Sequence, residues 1–471
     1  MTETFDLVII GSGPGGYRAA VLATLRDLRV AIVEAGVWGG CCLNRGCVPK
    51  KDWYHTARLV AASAGFADRG LSGTLQADLA GAWRHQHQVV RTVRDSYLDY
   101  MKRLSIRTIE GHGRLAGPGR VQVSGTDGER ELHAHHIILA TGANASLPGD
   151  MDLTLTPGRI LNTDMLFDEP PPSGQRVGVL GSGVVATEFA YILRLLGKEV
   201  VWLPRSAPLH RTRFTPQARS ALGTALDRYG IETHPGARLR TATTDGAGVH
   251  LTLEDGRIMT MDWLLLGTGR RPHTTDLGLN TAGIETDAHG YIQRDEFLQT
   301  AAPNVYAIGD CAGHEMTSNQ ALADATVAVH NLITGNTRRK DDGWVPFVVY
   351  SALELARLGM NDDEAEEREY EPAVGFAAFD TSPCALAQGD PEGFVRLLAD
   401  MDTGALLGGE IVGAEAGELI HLLALAPDRD TALRWLAEGR FNHPARAEEL
   451  LNATETLAGK WGLEEAIFGK P

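Results

Sequence analysis

The stretch FDLVIIGSGPGGYRAAVLATLRDLRVAIVE, residues 5–34, decides the fold of this chain. It reads as a buried strand, a glycine-rich turn, an alanine-rich helical segment and a second buried strand, which is the order of a βαβ unit. Gly11, Gly13 and Gly16 fit G-x-G-x-x-G, whose glycines allow a tight turn, close approach of a pyrophosphate, and close packing of helix on strand. Glu34 ends the second strand, where a carboxylate accepts hydrogen bonds from an adenosine ribose. The stretch therefore predicts a dinucleotide site rather than a plain tight turn.

The same pattern returns in QRVGVLGSGVVATEFAYILRLLGKEVVWL, residues 175–203. Gly181 and Gly183 fill the first two motif positions, and Ala186 fills the third. The sequence therefore predicts two dinucleotide-binding folds. A chain of 471 residues is too long for one hydrophobic core, so two to four domains are expected.

Three more motifs follow apolar strands, whose carboxyl ends are where open α/β sheets bind ligands. ATGA sets Thr141 and Gly142 at a sharp turn, and GTGRRP ends the second unit at Gly269. YAIGD sets Asp310 at a strand end, although this residue could instead cap the following helix. We place these four residues and Gly113 in the predicted cofactor site.

The segment GGCCLNRGCVPKK, residues 39–51, holds three of the five cysteines. A redox-active disulfide, a metal site and small buried neighbours are the competing interpretations. Cys42 and Cys47 form C-x4-C directly after the first nucleotide unit, and a helix opening near Pro49 would lower the pKa of the Cys47 thiol. Zinc sites need four ligands at recurrent spacings, and no second C-x2-C or histidine pair follows. We therefore predict a redox-active pair and no metal.

The composition excludes several classes of partner. The net charge of −16, from 44 Lys and Arg against 60 Asp and Glu, disfavours non-specific binding to nucleic acid. No apolar run approaches the ~20 residues that span a bilayer, so no membrane association is expected. The N-terminus lacks the basic segment and cleavage site of a secretory signal. We expect the protein in the cytoplasm, where five cysteines are not a disulfide framework.

Near the C-terminus, RFNHPARAEEL places His443 five positions before Glu448. A redox disulfide needs an acid–base group near its outer sulfur. A carboxylate bonded to one imidazole nitrogen would fix the tautomer and raise the basicity of the other nitrogen. An ordinary ion pair on a surface helix is the alternative, because the sequence alone does not bring this pair to the cysteines.

Together these motifs resemble the flavin-dependent pyridine-nucleotide disulfide oxidoreductases of class I, and within them the dihydrolipoamide dehydrogenase branch, over essentially the whole chain. The carrying motifs are GSGPGGY, GGCCLNRGC, ATGA, GSGVVATE, GTGRRP, YAIGD, VPFVVYSALELARLG and HPARAE. The resemblance implies an α/β fold with two Rossmann-like domains, for FAD and NAD(P), and a C-terminal α+β dimerisation domain of a homodimer. The implied boundaries are 1–147 for the first part of the FAD domain, 148–272 for the NAD(P) domain, 273–344 for the return to the FAD region, and 345–471 for the interface domain.

The resemblance also implies a role for each catalytic residue. Cys42 would be the interchange thiol that meets the substrate, and Cys47 would be the thiolate stacked against the flavin. His443, contributed by the other subunit, would be the acid–base group, oriented by Glu448. Electrons would move between a dihydrolipoyl group, the disulfide, FAD and NAD+.

Beside the flavin, the resemblance implies that Lys51 pairs with Glu188 and that Asp310 binds the ribityl chain. The chain also departs from the branch: PKK replaces the usual PSK, HPARAE lacks the threonine and serine of HPTxSE, and Phe441 and Asn442 replace a common His-Ala. These departures predict a reshaped active-site floor. They point to a lipoylated carrier protein outside the common 2-oxoacid dehydrogenase complexes as one candidate substrate.

Two arguments about the nicotinamide nucleotide disagree. An NAD site would place Asp or Glu after the last strand of the second unit, but this chain has Arg205 there, with His210, Arg211 and Arg213 nearby. An arginine can hold the 2′-phosphate of NADP, although Arg205 could be a solvated loop residue. The resemblance favours NAD+, which we take as the expected nucleotide with NADP as the alternative.

Two other functions stay open. An NADPH-dependent reductase of low-molecular-weight, glutathione-like disulfides is supported by Lys50, Lys51 and Arg205. A non-catalytic flavin redox sensor or scaffold is disfavoured, because a scaffold does not need both cysteines, the histidine and the glutamate. Cys41 is either a small residue that fills the turn or a third thiol that competes for the disulfide. The acidic segment 361–369 is expected to be a solvated helix face.

Overall fold

The computed structural model describes residues 3–126, 128–147, 149, 151–340 and 343–469. Pro148, the first residue of the predicted NAD(P) domain, lies outside the described residues. The α-helices are α1 (Pro14–Thr24), α2 (Gly40–Arg45), α3 (Cys47–Ser63), α4 (Leu79–Arg103), α5 (Thr163–Asp168), α6 (Val184–Leu195), α7 (Pro216–Asp227), α8 (Ser318–Thr334), α9 (Asp362–Glu367), α10 (Pro383–Gln388), α11 (Ala416–Ala424), α12 (Ala432–Ala437), α13 (Glu448–Trp461) and α14 (Glu464–Phe468). Within the described ranges, no helix is both long enough and apolar enough to cross a membrane.

The strands fall into four main sheets and one small ribbon. They are β1 (Glu3–Ile10), β2 (Val30–Glu34), β3 (Arg107–Glu110), β4 (His112–Leu115), β5 (Arg120–Gly125), β6 (Gly128–Leu139), β7 (Ala143–Ala145), β8 (Asp152–Leu153), β9 (Ile160–Asn162), β10 (Arg176–Leu180), β11 (Glu199–Leu203), β12 (Glu232–Thr233), β13 (Leu239–Thr244), β14 (Val249–Leu253), β15 (Ile258–Met261), β16 (Trp263–Leu266), β17 (Arg270–Pro272), β18 (Val305–Ala307), β19 (Phe347–Tyr350), β20 (Glu354–Gly359), β21 (Pro372–Ala378), β22 (Gly393–Asp400) and β23 (Leu406–Gly413).

The first sheet has the strand order β3-β2-β1-β6-β5-β4, and β18 also pairs with β6. Strands β3, β2, β1, β6 and β18 are parallel, and β5 and β4 are antiparallel additions. The long strand β6 belongs to both the antiparallel and the parallel part of this sheet. Its first half pairs with β5, and its last three residues pair with β18. Helices α1 and α8 pack on this sheet, with small residues such as Ala20 and Ala325 fully buried between them. The predicted βαβ unit therefore forms the centre of the N-terminal fold.

The second nucleotide unit forms a separate parallel sheet with the order β12-β11-β10-β16-β9. Helix α6 follows β10 and is buried along nearly its whole length. Beside it lies a sheet of the order β15-β14-β13-β8, antiparallel except for β8. The ribbon of β17 and β7 joins the two units where the chain crosses between them.

The C-terminal part folds around an antiparallel sheet of the order β19-β20-β23-β22-β21. Strands β20 and β23 are buried at every residue, which fits a central position between helices. Together, the parallel sheets with their helices and this mixed C-terminal part confirm the predicted α/β fold class. The bounds of the four predicted segments stay predictions.

Helix α3 lies where all three parts meet. Its Trp53 and Tyr54 belong to the same buried cluster as Phe189 of α6 and Leu355 of the C-terminal sheet. The Trp53 ring lies 4.9 Å from the ring of Phe167 and 6.4 Å from that of Phe189. Because α3 begins at Cys47, this core fixes the position of the thiol from several sides.

Candidate active site

The first glycine turn has the geometry that its motif requires. Gly11 has a φ of +104°, which strongly favours glycine, and a Cβ there would overlap the carbonyl oxygen of Ala140. A Cβ at Gly16 would overlap the carbonyl oxygen of Gly11. At Gly13, by contrast, a Cβ would meet no atom of the described residues within 4 Å. Backbone atoms therefore fill the space beside Gly11 and Gly16, whereas the space beside Gly13, at the N-terminus of α1, is open. An open helix N-terminus suits a pyrophosphate.

Glu34 is held at the end of β2 by the same turn. Its Oε2 accepts hydrogen bonds from the Ser12 backbone N–H at 2.8 Å and from the Ser12 hydroxyl at 2.6 Å. Its Oε1 accepts a bond from the Gly36 N–H at 2.7 Å. A carboxylate has about four acceptor positions, so capacity remains for one ribose hydroxyl.

The second glycine turn repeats this construction with one change. Gly181 has a φ of +131°, and a Cβ there would overlap the carbonyl oxygen of Gly267. A Cβ at Gly183 would meet nothing within 4 Å among the described residues. Ala186 is accepted in the third position because Gly267 lies opposite: a Cβ on Gly267 would come within 3.0 Å of the Ala186 Cβ.

Hydrogen bonds join the two segments in which the chain passes between the units, and they lie at the predicted motifs ATGA and GTGRRP. Thr141 donates its hydroxyl to the carbonyl of His273 at 2.6 Å, and the His273 N–H donates to the carbonyl of Gly142 at 2.9 Å. Gly269, with a φ of +111°, accepts a bond from the N–H of Ser146. Gly113 lies inside β4, where a Cβ would press within 3.4 Å of Ile10 and Val33, so it keeps this part of the sheet closely packed.

Asp310 lies in a single 3-10 turn, Gly309–Cys311, directly after β18. It does not cap α8, whose N-cap is Thr317. Burial raises the pKa of Asp310, and the nearby Arg270 guanidinium opposes that rise. Asp310 therefore stands at a strand end of the FAD-type sheet, as predicted.

Two residues that the sequence analysis missed hold this turn in place. Asp324 accepts hydrogen bonds from the Gly309 N–H at 3.0 Å and from Arg294 at 2.8 Å. The side chains of Arg294 and Asp324 are only 6% and 1% exposed, so this is a buried ion pair. Both lie in segments without a motif, and no pattern in the sequence links them.

Cys42 lies in the middle of α2 and Cys47 is the first residue of α3, and both are free thiols in the structure. The hydrogen bond from Cys42 is the main cause that lowers the pKa of Cys47 to about 7, against the effect of burial. A hydrogen bond with Ser318, at 3.1 Å between Sγ and Oγ, and the charge of Lys50 lower it further. The same contact with Cys47, followed by burial, raises the pKa of Cys42 well above its usual value. The two thiols are therefore unlike, because Cys47 gives up its proton more readily than Cys42.

The predicted pairing of Lys51 with Glu188 is wrong. Lys50 makes this ion pair instead, at 2.9 Å, and its partner Glu188 is only 5% exposed. Lys50 and Lys51 point about 100° apart on α3, and Lys50 is the one directed at Glu188 of α6. The ammonium of Lys51 lies over the ring of Tyr350, 3.5 Å from the ring centre, and burial lowers its pKa.

Cys41 is a half-buried neighbour of the pair rather than a second nucleophile. Burial raises the pKa of its thiol to about 11, and its Sγ lies 3.9 Å from a carboxylate oxygen of Asp164. Because the thiolate is the reactive form, a thiol with this pKa competes poorly for a disulfide. This supports the interpretation of Cys41 as a residue that fills the turn.

His443 and Glu448 are in hydrogen-bond contact, as their roles require. The Nδ1 atom of His443 lies 2.9 Å from Oε1 of Glu448, the first residue of α13. The Ala445 N–H donates to Oε2 of the same carboxylate at 2.7 Å, and this bond, followed by that to His443, lowers the pKa of Glu448. The imidazole is 74% exposed. It therefore stands on the surface of the C-terminal part.

Other candidate residues have local partners. Arg213, one of the arginines near the predicted NADP site, forms ion pairs with Glu364 at 2.9 Å and with Glu315 at 3.4 Å. The acidic segment 361–369 forms the short helix α9, and Asp362 also binds Arg396. This segment is therefore partly tied to its own domain instead of being fully solvated. Among the described residues, no group of three or more His, Cys, Asp or Glu side chains could hold a metal ion.

Known proteins give the same family over nearly the whole chain. Residues 5–330 match the family described as pyridine nucleotide-disulphide oxidoreductase, and residues 345–454 match its dimerisation domain. A dihydrolipoyl dehydrogenase of Thermus scotoductus is 33% identical over 97% of this chain and 98% of its own length. Dihydrolipoyl dehydrogenase 3 of Pseudomonas aeruginosa is 31% identical over 98% and 99%.

Solved structures agree with this match. LpdA from Mycobacterium tuberculosis superposes with a TM-score of 0.89 at 24% identity, over 96% of this chain and 99% of that one. The HOCl-induced flavoprotein disulfide reductase RclA from Escherichia coli gives 0.83 at 25% identity, over the same shares. The resemblance found in the motifs is confirmed, and this chain belongs to the pyridine nucleotide-disulphide oxidoreductase family.

Proposed function

We propose that the protein is a dihydrolipoamide dehydrogenase-like flavoenzyme that moves two electrons between a dihydrolipoyl group and NAD+. The observation that carries this proposal is the unlike pair of thiols, with the pKa of Cys47 lowered and that of Cys42 raised. Relatives named dihydrolipoyl dehydrogenase, similar over nearly the full length, support the same reaction.

The residues of this chain fit FAD at the first turn, where Gly13 faces open space and Glu34 stands ready for the ribose. FAD, when bound, carries the electron pair between Cys47 and the nicotinamide. Asp310 would hold the ribityl chain, and Lys50 with Glu188 would stand beside the flavin in place of the predicted Lys51. The second turn, with Gly183 open in front of α6, fits the pyrophosphate of the nicotinamide nucleotide.

In the dehydrogenase direction, His443 takes a proton from one dihydrolipoyl thiol, and the resulting thiolate attacks Sγ of Cys42 in the Cys42–Cys47 disulfide. The sulfur–sulfur bond breaks, a mixed disulfide forms on Cys42, and Cys47 leaves as a thiolate. The first proton passes from His443 to solvent, and His443 then takes the proton of the second lipoyl thiol. The resulting thiolate attacks the lipoyl sulfur of the mixed disulfide, so lipoyl disulfide departs and Cys42 leaves as a thiolate. Cys42 takes a proton from His443 and becomes a thiol. The low pKa of Cys47 makes it the better leaving group, and the high pKa of Cys42 keeps it protonated after the transfer.

We propose that the working form is a homodimer in which each subunit supplies His443 to its partner. The match of residues 345–454 to the family's dimerisation domain supports this assembly. The 74% exposure of the imidazole, with Glu448 fixing its Nδ1 side, leaves its other nitrogen for a substrate thiol. The domain boundaries 1–147, 148–272, 273–344 and 345–471 and a cytoplasmic location belong to the same proposal.

The sequence departures at PKK and HPARAE support a lipoylated carrier protein as the physiological substrate. Poor turnover with every lipoylated carrier domain tested, together with good turnover of free dihydrolipoamide, would remove this part of the proposal.

The test is anaerobic stopped-flow reduction of the purified holoenzyme with dihydrolipoamide, NADH or NADPH. A long-wavelength thiolate-to-flavin absorbance band formed by dihydrolipoamide and discharged by NAD+ is the expected result. Cys47→Ser should abolish the band and turnover, while the control Cys384→Ser, a half-buried cysteine of the C-terminal part, should change neither. A band formed by NADPH but never by dihydrolipoamide would favour the alternative reductase of low-molecular-weight disulfides.

A further inference from the structure

The segment 312–317 joins the turn that carries Asp310 to the start of α8. Its last residue, Thr317, is the N-cap of α8. The next residue, Ser318, is the first of the helix, and its Oγ lies 3.1 Å from Sγ of Cys47. The conformation of this short segment therefore determines where the serine hydroxyl lies relative to the thiol.

Glu315, in the middle of this segment, contacts two arginines from other parts of the chain. Its Oε1 lies 3.4 Å from Nη2 of Arg213, which precedes α7, and its Oε2 lies 3.5 Å from Nη2 of Arg357 in β20. Each carboxylate oxygen therefore has a cationic partner of its own. Through Glu315, the segment before α8 is joined both to the second nucleotide unit and to the C-terminal sheet.

Arg357 is the more buried of the two arginines. Its side chain is 7% exposed, against 29% for Arg213, and its guanidinium carbon lies 4.7 Å from the centre of the Phe347 ring. Burial lowers the pKa of Arg357 to about 10, so the guanidinium stays charged at neutral pH. A buried charge without a partner is costly, so the free energy of this group favours keeping the Glu315 carboxylate beside it.

The body of α8 is placed by contacts that do not involve this cluster. Ala321 packs against α1, where a Cβ on Gly15 would lie 3.2 Å from the Ala321 carbonyl oxygen. The side chain of Asn319 donates a hydrogen bond to the carbonyl of Pro346 at 2.8 Å. The helix as a whole is therefore fixed, and Glu315 acts only on the segment before it and on its first residue.

We propose that Arg357 is a positioning residue for Cys47. It holds Glu315, and Glu315 fixes the segment that places the Ser318 hydroxyl against the thiol. This inference rests on the proposed role of Cys47 as the thiolate beside the flavin, but not on the disulfide substrate or the nicotinamide nucleotide. A hydroxyl that donates a hydrogen bond to a thiolate stabilises it, so release of Glu315 should raise the pH at which Cys47 ionises.

Other groups also act on the Cys47 thiol and stay in place when Glu315 is released. They come from α2, α3, α6 and the C-terminal sheet, and they are Cys41, Cys42, Lys50, Glu188 and Tyr350. The hydrogen bond from Cys42 lowers the pKa of Cys47 most, and the bond with Ser318 and the charge of Lys50 lower it less. Loss of the Arg357 contact should therefore remove part of the Ser318 effect and leave the thiolate in existence.

The test is a pH titration of the thiolate-to-flavin absorbance band in holoenzyme reduced with one equivalent of dithionite, which requires neither a lipoyl substrate nor a nucleotide. Glu315→Gln is the main variant, because this side chain is 38% exposed and its replacement leaves the core intact. Its midpoint should move to higher pH by at least about 0.3 unit. Arg357→Met should shift the midpoint in the same direction, and Arg357→Lys, which keeps a cation near the carboxylate, should lie between it and the parent.

A double variant separates positioning from a general loss of structure. If Glu315 acts through Ser318, Glu315→Gln/Ser318→Ala should have the midpoint of Ser318→Ala alone, because the hydroxyl to be placed is gone. Arg396→Met is the matched control. Arg396 lines the same small cavity as Arg357 and is 13% exposed, but it pairs with Asp362, so the midpoint of this variant should stay as in the parent.

An unchanged midpoint in Glu315→Gln would overturn the proposal. So would additive shifts in the double variant, because the contact would then act on Cys47 without Ser318, and so would an equal shift in Arg396→Met. A parent enzyme that forms the band with dithionite but not with dihydrolipoamide would lose the proposed lipoyl reaction, while the shifts in the variants would still assign this role to Arg357.

Discussion

The first glycine turn stands beside Glu34, and the second stands beside Leu203 and a loop with two exposed arginines. In both turns the first glycine has a positive φ and abuts a carbonyl of the neighbouring strand end, and the middle glycine faces open space. The backbone construction that suits a pyrophosphate is thus shared. The charges at the end of the following strand differ, since a carboxylate ends that strand in the first unit and an apolar residue ends it in the second.

The third motif position shows how far the two turns can vary. Gly16 has no room for a Cβ because the carbonyl of Gly11 occupies that space. Ala186 occupies the matching position of the second turn because Gly267, opposite, has no side chain. Glycine is therefore required at the third motif position only where another atom occupies the space that its Cβ would take.

The largest effect is expected for Gly16→Val, which adds a side chain where the first turn has no room for one. The added side chain would overlap the Gly11 carbonyl, so we expect a loss of about 3 kcal/mol or more in the free energy of unfolding and purification without bound flavin. Urea denaturation and the ratio of flavin to protein absorbance measure both effects. Ala186→Gly in the second turn is the matched variant and should cost only about 1 kcal/mol. Equal losses in the two variants would contradict the comparison.

The next effect concerns the ion pair that joins the helix after the first unit to α6 of the second. Lys50→Met leaves the Glu188 carboxylate, 5% exposed, without its ammonium partner, and should lower the free energy of unfolding by about 3–5 kcal/mol. Lys51→Met removes the contacts of the ammonium with the rings of Tyr350 and Tyr54 and should cost about 1 kcal/mol. The urea midpoints of the two variants show which lysine contributes more to the free energy of unfolding. A larger loss for Lys51→Met would restore the pairing predicted from the sequence.

A smaller effect is expected when the charge of the first turn is removed. Glu34→Gln keeps the size of the side chain but weakens its bonds with Ser12 and Gly36 and with a ribose, so flavin should bind about tenfold more weakly. Equilibrium dialysis of the apoprotein with FAD measures this. Glu110→Gln, at the neighbouring strand end, is the control. The Glu110 carboxylate accepts a hydrogen bond from the Trp38 indole at 3.3 Å, so the substitution should leave FAD affinity within about twofold.

Local patterns were enough to predict the two turns and the position of Glu34, because these depend on residues close together in the sequence. The start of α3 at Cys47 was not predicted. The pairing of Lys51 with Glu188 came from the resemblance, and only the packing of α3 against α6 shows that Lys50 makes it. Ser318 was missed for a similar reason. It lies 271 positions from Cys47, and only the packing of α8 brings its hydroxyl to the sulfur.

Glu354 illustrates the same limit at the base of α3. Its carboxylate accepts hydrogen bonds from the Tyr54 hydroxyl at 3.2 Å and the Gly417 N–H at 3.0 Å, and Arg58 lies 3.5 Å away. These contacts tie the cysteine helix to the C-terminal part, yet each partner sits in an ordinary helix or strand pattern. Polar groups that join distant elements become visible only when the fold is known.

The most direct test of the central claim, that Cys47 is the thiolate and Cys42 the protonated thiol, is a pH titration of the charge-transfer absorbance in the two-electron-reduced enzyme. The lowered pKa of Cys47 predicts a band that is present at high pH and is lost as the pH falls through about 7. Ser318→Ala removes a hydrogen bond that stabilises the thiolate, so the midpoint should move to higher pH, and Ser318→Thr should restore it. Cys42→Ser should keep a band, while Cys47→Ser should abolish it. A band that survives in Cys47→Ser, or a midpoint above the ordinary pKa of a thiol, would contradict the account.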